Sequence, residues 1–347
     1  NKYISIFFCV QIIALNLFAM QPKVTPVDYV RPQIDTHKSR WFFFSSASRP
    51  FGMVSLSPDT WTEGSWNSGY LYNSKEIRCF SHVHCWQLAG VPVMPTTGEV
   101  KGHKGMDAYK STYSHETEIV KPGYHKVELD TYQIRVELTS TSRVGMHRYT
   151  YPAGEKANVL FDVGALLAHG KTEKAAIHRI SSKEIGGYSV LAPTSRRKKP
   201  VTVYFVARFN QNMTAFGGWE KEGKEKKLVH KNSIEGADIG GYASFGKLKK
   251  QTLLMKVGIS YVSEEQARIN LEKELAHWNF DRVKEDAFAE WNRELGKITV
   301  EGGSEEEKIK FYTDLWHSLL GRHTFSDFNG KYIDNTGEEP VVRQVPL

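Results

Sequence analysis

Cysteine is scarce, with three in a chain of 347 residues. Cys9 lies in an N-terminal apolar run, so a chain that loses that run keeps only Cys79 and Cys85. Two cysteines cannot complete a zinc site alone, which excludes a cysteine-built structural metal centre. They are spaced closely enough to close a small disulfide in an oxidising compartment, and free thiols fit the sequence equally well. The chain also has no Gly-rich phosphate loop, no HExxH pair, no GxSxG elbow and no EF-hand loop. P-loop phosphoryl transfer, zincin proteolysis and α/β-hydrolase chemistry therefore lack sequence support. Nor is there a concentrated basic face. Lys and Arg number 46 against 39 Asp and Glu, a formal charge of +7, and the surplus sits in short polar stretches at 196–199, 221–227 and 247–250. Nucleic-acid readers gather basic residues with aromatics on one face, whereas these stretches read as solvated loops and guarded strand edges. No nucleic-acid partner is expected.

What is present is ordinary globular composition: 40% hydrophobic, 24% charged and 12% aromatic residues. That excludes a disordered or collagen-like polymer, and the length allows two or three domains. Lys2 precedes an apolar stretch, Tyr3 to Val10 and Ile12 to Ala19, interrupted by Gln11 and Asn16. This reads as a secretory signal peptide over residues 1–19, cleaved after Ala19. The run is short for a membrane span and no basic stop-transfer cluster follows it. The expected location is secreted or periplasmic, with no stable span after cleavage.

From Val27 to Val262 the pattern is strand-like. Tyr132 to Leu138 alternates apolar and polar residues, Thr139 to Arg143 supply a turn, and Val144 to Tyr151 follow, which predicts a half-buried antiparallel hairpin. Similar segments recur at 124–129, 159–163, 188–191, 201–209 and 253–261, and many short strands without intervening helices point to a sandwich or barrel. After Tyr261 the period changes. Ser263-Glu264-Glu265-Gln266 and Ser304-Glu305-Glu306-Glu307 match the capping box, and each precedes apolar residues at three- and four-residue spacing. A break is expected around Asn279-Phe280-Asp281, a stop at Gly296, and a last helix ending near Leu320. The tryptophan and leucines of that helix have no partner within it, so the chain reads as truncated on its C-terminal side.

Two features suggest chemistry. Trp61, Trp66, Tyr70 and Tyr72 cluster after Asp59, and Phe80-Ser81-His82-Val83-His84-Cys85-Trp86 follows shortly. Tryptophan faces stack on sugar C–H surfaces. Histidines two apart on a strand share a face and can bind hydroxyls or a metal together; the alternative is a sandwich core with satisfied histidines. Asn212-Met213-Thr214 fits a glycosylation sequon, relevant only in a eukaryotic secretory pathway.

Longer motifs then occur in order: Val27-Asp28-Tyr29-Val30-Arg31-Pro32, Arg49-Pro50-Phe51-Gly52-Met53 through Asp59-Thr60, Gly69-Tyr70-Leu71-Tyr72, Phe80-Ser81-His82-Val83-His84, Met94-Pro95-Thr96-Thr97-Gly98, Tyr113-Ser114-His115-Glu116, Pro122-Gly123-Tyr124, Glu137-Leu138-Thr139 and His147-Arg148-Tyr149. Together with Phe325-Ser326-Asp327 to Tyr332, they resemble glycoside hydrolase family 92, the calcium-dependent exo-acting α-mannosidases, over most of residues 27–347. The resemblance implies an all-β N-terminal sandwich at 25–262, a helical linker at 263–297, and the first part of an (α/α)6 barrel at 298–347, with the active site between sandwich and barrel. It implies release of terminal α-linked mannose from glycans by calcium-assisted, inverting hydrolysis. The acid, the base and the Ca2+ ligands belong chiefly to barrel beyond residue 347, so no catalytic or metal residue is assigned within this chain. His82 and His84 are unsuited to calcium, which takes oxygen ligands. Substrate-binding roles fall to His82, His84, Trp86, Tyr70 and Asp334: Trp86 stacking on the leaving-group sugar, the two histidines shaping the pocket rim, and Asp334 touching a hydroxyl or else closing an Asx turn. The other functions compatible with the resemblance are a non-catalytic carbohydrate-binding sandwich and a mannose-1-phosphodiester hydrolase. The chain departs from the common pattern at 35–44, where many members have a Gly-rich stretch, and in a short loop at 84–87. The linkage cleaved does not follow from the resemblance.

Overall fold

The computed structural model describes residues 24–37, 45–62, 69–85, 88–165, 171–195, 197–249 and 251–346, the side chains of 85, 88 and 89 excepted. The expected signal peptide at 1–19 and Trp86 lie outside them. Two large sheets are built from strands between Ser57 and Ser260. One runs, in spatial order, Ser57–Asp59, Cys79–Ser81, Val93–Thr97, Lys156–Phe161, Gly240–Lys247, Ala215–Glu222, Glu225–Val229; the other runs Ser233–Gly236, Thr172–Arg179, Glu184–Leu191, Val201–Phe209, Thr252–Ser260, Val144–Thr150, Ile134–Ser140, Tyr124–Leu129, Ile119–Lys121. Pairing within both is antiparallel. Their inner faces meet in one core, where Phe161 of the first sheet stacks on Phe205 of the second with centroids 5.9 Å apart. This is the β-sandwich expected from the short alternating segments. Lys224, Lys226 and Lys227 belong to the outermost hairpin of the first sheet, where charge discourages edge-to-edge pairing.

The hairpin expected to be half-buried is buried on both faces. Val144 and Met146 point away from the sandwich core and, with Val206, pack against Ala267, Leu271, Leu275, Phe280 and Val283. The cause is the helical region. After the single turn α1 (Met106–Tyr109), three longer helices follow the sandwich: α2 (Glu264–Glu274), α3 (Phe280–Leu295) and α4 (Glu305–Leu320). The first two lie on the outer face of the nine-stranded sheet. A Cβ on Gly258 would sit 2.4 Å from the carbonyl oxygen of Ala267, so glycine there lets α2 approach the strand backbone.

Local signals set the helix ends. Ser263 accepts from the Gln266 amide at 3.1 Å, Asn279 accepts from the Arg282 amide at 3.1 Å, and Ser304 with Glu307 completes a reciprocal capping box. The expectation that the tryptophan of the last helix lacks a partner is not met. Trp316 is fully buried against Trp291 of α3 and against Val27 and Val30, which precede the sandwich in sequence. Exposed apolar side chains do occur nearby: Phe325, Phe328, Val341, Val342 and Val345.

Candidate functional site

Three buried polar groups involve the 55–62 segment, the 69–73 turn and the 81–84 stretch. In the first, Asp59 Oδ1 accepts from His84 Nε2 at 2.7 Å, while His84 Nδ1 lies 2.6 Å from the Ser55 carbonyl. Both partners only accept, so both ring nitrogens donate and His84 is an imidazolium. Burial alone would lower its pKa, but the Asp59 charge and hydrogen bond outweigh this and the net shift is upward. Asp59 Oδ2 also accepts from Ser81 Oγ at 2.5 Å and from the Cys79 thiol at 3.3 Å. Cys79 is thus a free buried thiol rather than half of a disulfide, and desolvation pushes its pKa well up.

The second group centres on Glu118, whose side chain is fully buried. It accepts from His125 Nε2 at 2.9 Å, His115 Nδ1 at 2.6 Å, the Tyr70 hydroxyl at 2.9 Å and Gln33 Nε2 at 2.8 Å. Although burial opposes ionisation, these bonds hold its pKa below the usual value. His115 in turn stacks flat on Tyr72, centroids 4.0 Å apart. Tyr70 is 5% exposed, with its hydroxyl bonded to Glu118. The aromatic surface beside it belongs to Trp61 and Tyr72, 36% and 40% exposed.

The third group shows where the paired-histidine reading meets the structure. His82 and His84 are both buried but join different networks. His82 Nδ1–H donates to the Val91 carbonyl at 2.7 Å, which leaves its Nε2 lone pair to accept from His147 Nε2–H at 2.8 Å. His147 Nδ1 then accepts from the Tyr149 hydroxyl at 2.8 Å. Burial pushes the pKa of His82 down to about 4 and that of His147 well below its ordinary value. The unfolded histidines take up protons near pH 6.5 and the folded ones do not, so stability is highest above pH 6.5 and falls as pH drops toward 4. We expect each histidine to add about 1.4 kcal/mol per pH unit across that window. Urea unfolding of the His82→Gln/His147→Gln double variant should show a correspondingly flatter profile than the parent. Asp162, whose carboxyl burial raises to about 6, acts in the opposite sense and is unchanged between the two proteins.

Trp86 lies outside the described residues. Asp334 stands apart from these groups, on the strand pair Lys331–Asp334 and Val341–Gln344. Its Oδ1 accepts from the amide and hydroxyl of Thr336 at 3.0 and 2.6 Å, an Asx turn, and its Oδ2 accepts from Arg343 at 2.5 Å. Those bonds push its pKa down to about 2. Asp327 is buried and accepts from Ser260 and Asn270, tying this segment to the sandwich and α2. Sequence reasoning did not single out Asp59 or Glu118. The signal available was their place beside the histidine motifs, Asp59 ahead of the tryptophan cluster and Glu118 after Ser114-His115.

A sandwich leading into helices is the architecture of a glycosyl hydrolase N-terminal domain followed by the start of its catalytic domain. Residues 29–260 match the glycosyl hydrolase family 92 N-terminal domain and residues 266–343 match the glycosyl hydrolase family 92 catalytic domain. The chain belongs to glycosyl hydrolase family 92. It is 28% identical to the family GH92 alpha-mannosidase BT3965 from Bacteroides thetaiotaomicron, with a TM-score of 0.81, over 94% of this chain and 45% of that one. BT3965 has also been solved with mannoimidazole. The inverting mannosidase BT2199 of the same organism shares the fold, with a TM-score of 0.79 at 23% identity over 93% of this chain and 44% of that one. An uncharacterized secreted glycosidase of Arthroderma benhamiae is 23% identical over 330 residues, 86% of this chain and 40% of its own length. The chain thus spans less than half the length of these relatives. No described helix is long and apolar enough to cross a membrane.

Proposed function

We propose that this chain is the N-terminal part of a secreted or periplasmic α-mannosidase that releases terminal α-linked mannose from glycans with inversion. The observation that carries this reading is the family match across both domains, together with the 28% identity to an α-mannosidase over 94% of the chain. Inverting hydrolysis needs a carboxylic acid on the leaving oxygen and a carboxylate base about 6.5–9.5 Å away, leaving room for water. Asp59 and Glu118 are saturated with buried donors and suit neither role; the family resemblance implies a pair in the barrel beyond residue 347. The sandwich contributes the wall of the outer subsite. Trp86, with the exposed faces of Trp61 and Tyr72, offers stacking surfaces. His84, held protonated by Asp59, and Tyr70, held by Glu118, fix the rim beneath them. His82 is fully buried and acts only by holding the Val91 and His147 segments. Asp334, with both oxygens engaged, keeps its turn in place and meets a hydroxyl only if Arg343 yields.

The family resemblance implies calcium, which takes six to eight oxygen ligands. The convergent ligating side chains among the described residues are Asp35, Asp314 and His317, an oxygen, oxygen, nitrogen set. This does not fit calcium, and no step through that ion is derived from residues of this chain.

The test is release of mannose from an α-mannobiose. A protein carrying this chain followed by the remaining barrel should release mannose and lose that activity to a chelator, whereas purified 1–347 should release none. Chelator-sensitive release by 1–347 itself, or a complete protein that binds mannose without cleaving the mannobiose, would sink the reading, the second outcome favouring a carbohydrate-binding module.

A further inference from the structure

We propose that Phe51 is a substrate-binding residue whose ring stacks on the apolar face of the leaving-group sugar, a role that rests on the α-mannosidase reading above. Phe51 has φ of 58°, in the left-handed region, and is the one aromatic side chain there among the described residues. Arg49-Pro50-Phe51-Gly52 is a four-residue turn closed by the Gly52 amide on the Arg49 carbonyl at 3.2 Å. Proline second and positive φ third is the pattern of a type II turn, whose third place usually holds glycine. Here phenylalanine stands in that place and glycine follows it, so the backbone carries a steric penalty that the neighbouring residue would have avoided.

Bonds on both sides hold the turn. Arg49 Nε donates to the Ser140 carbonyl at 2.7 Å, and its guanidinium pairs with Glu290 of α3. The Thr324 amide donates to the Phe51 carbonyl at 2.9 Å, and His323 Nδ1–H donates to the Gly52 carbonyl at 2.9 Å. The ring itself is 39% exposed and takes no part in the three apolar clusters. Strain that core packing does not explain is characteristic of ligand clamps. The turn's neighbours lead to the aromatic surface already described. His323 lies within electrostatic reach of His84. A Cβ on Gly69 would sit 3.6 Å from the His84 ring, and Gly69 is bridged to Trp61, whose indole is exposed. Phe51 thus adds a second rigid apolar face to that surface, and aromatic faces stack on sugar C–H surfaces.

Kinetics on α-mannobiose and melting temperatures, measured on the protein carrying this chain followed by the remaining barrel, test the assignment. Phe51→Gly and Phe51→Ala should each lower kcat/KM about tenfold, chiefly through KM, while Phe51→Tyr should stay within about twofold of the parent. Stability should move differently. Glycine takes positive φ freely and alanine does not, so Phe51→Gly should melt above Phe51→Ala, the reverse of their usual order. A purely structural role would tie the two readouts together and give the more stable variant the lower KM. If Phe51→Ala fails to fold, the KM of Phe51→Gly against that of Phe51→Tyr decides. A KM like the parent's in Phe51→Gly overturns the stacking role, and Phe51→Ala melting above Phe51→Gly overturns the strained clamp. A parent that leaves the mannobiose uncut would instead sink the mannosidase reading, and this role with it.

Discussion

Replacing Asp59 with alanine is expected to lower unfolding free energy by about 3–5 kcal/mol at pH 6, the range for breaking a buried ion pair from one side. The side chains of His84 and Asp59 are 4% and 2% exposed, so solvent cannot take over the lost partner. Ser81 and Cys79 lose their acceptor in the same step. The pH dependence follows from the raised pKa of His84. A group whose pKa rises on folding contributes its full stability below the unfolded value, near 6.5, and loses it as pH climbs through the folded value. The penalty of Asp59→Ala should therefore shrink toward pH 8, where the orphaned imidazole can be neutral. A second variant separates this from a packing defect: Asp59→Ala/His84→Ala should be less destabilised at pH 6 than Asp59→Ala alone, because the stranded cation is gone. Strictly additive losses in urea unfolding would contradict the pairing.

Trp291→Ala should have an effect of similar size for a different reason. Trp291 is fully buried, stacks obliquely on Trp316 at 5.9 Å, and donates its Nε1–H to the Ser48 carbonyl at 2.7 Å. It therefore joins α3, α4, the 26–30 segment and the loop before the sandwich. Removing a buried tryptophan costs about 3–5 kcal/mol through lost transfer energy and the cavity left behind. Trp291→Phe keeps most of the ring and should lose about 1–2 kcal/mol, the hydrogen bond and part of the packing. The alanine variant should also become susceptible to trypsin at Lys297 while the sandwich stays protected. Cleavage at the same rate in both proteins would show that Trp291 is not the joint.

Periodicity and capping residues made the helices legible: Ser263 and Ser304 start α2 and α4 as their capping boxes predicted, the expected break at 279–281 is where Asn279 caps α3, and Gly296 follows the end of α3. Strands with clean alternation, such as Tyr124–Leu129 and Val201–Phe209, were equally plain. The strands Ala215–Glu222 and Gly240–Lys247 were harder to see, because Gly217, Gly218, Gly240 and Gly241 stand where side chains would collide with a neighbouring strand or a bulky side chain. Close approach chose those residues, and a propensity reading takes them for turns. Burial of the Val144–Thr150 strand on both faces needed knowledge of where α2 and α3 lie. Of the site, the spacing of His82 and His84 was visible but their separate partners were not. Asp59 meets His84, His147 meets His82, and Glu118 gathers Tyr70 and Gln33, through packing between segments far apart in sequence, which no local pattern records.

Val27 and Val30 reach their resting place only beside Trp316 and Leu320. During synthesis, about 290 residues must leave the ribosome before that burial is available, roughly 15–60 s at ordinary elongation rates. The segment around Val27 and Val30, made before the sandwich, is therefore among the last to dock. A fusion partner, an uncleaved leader or a translocation pause would all act on a tail that is still unattached while the β layers assemble.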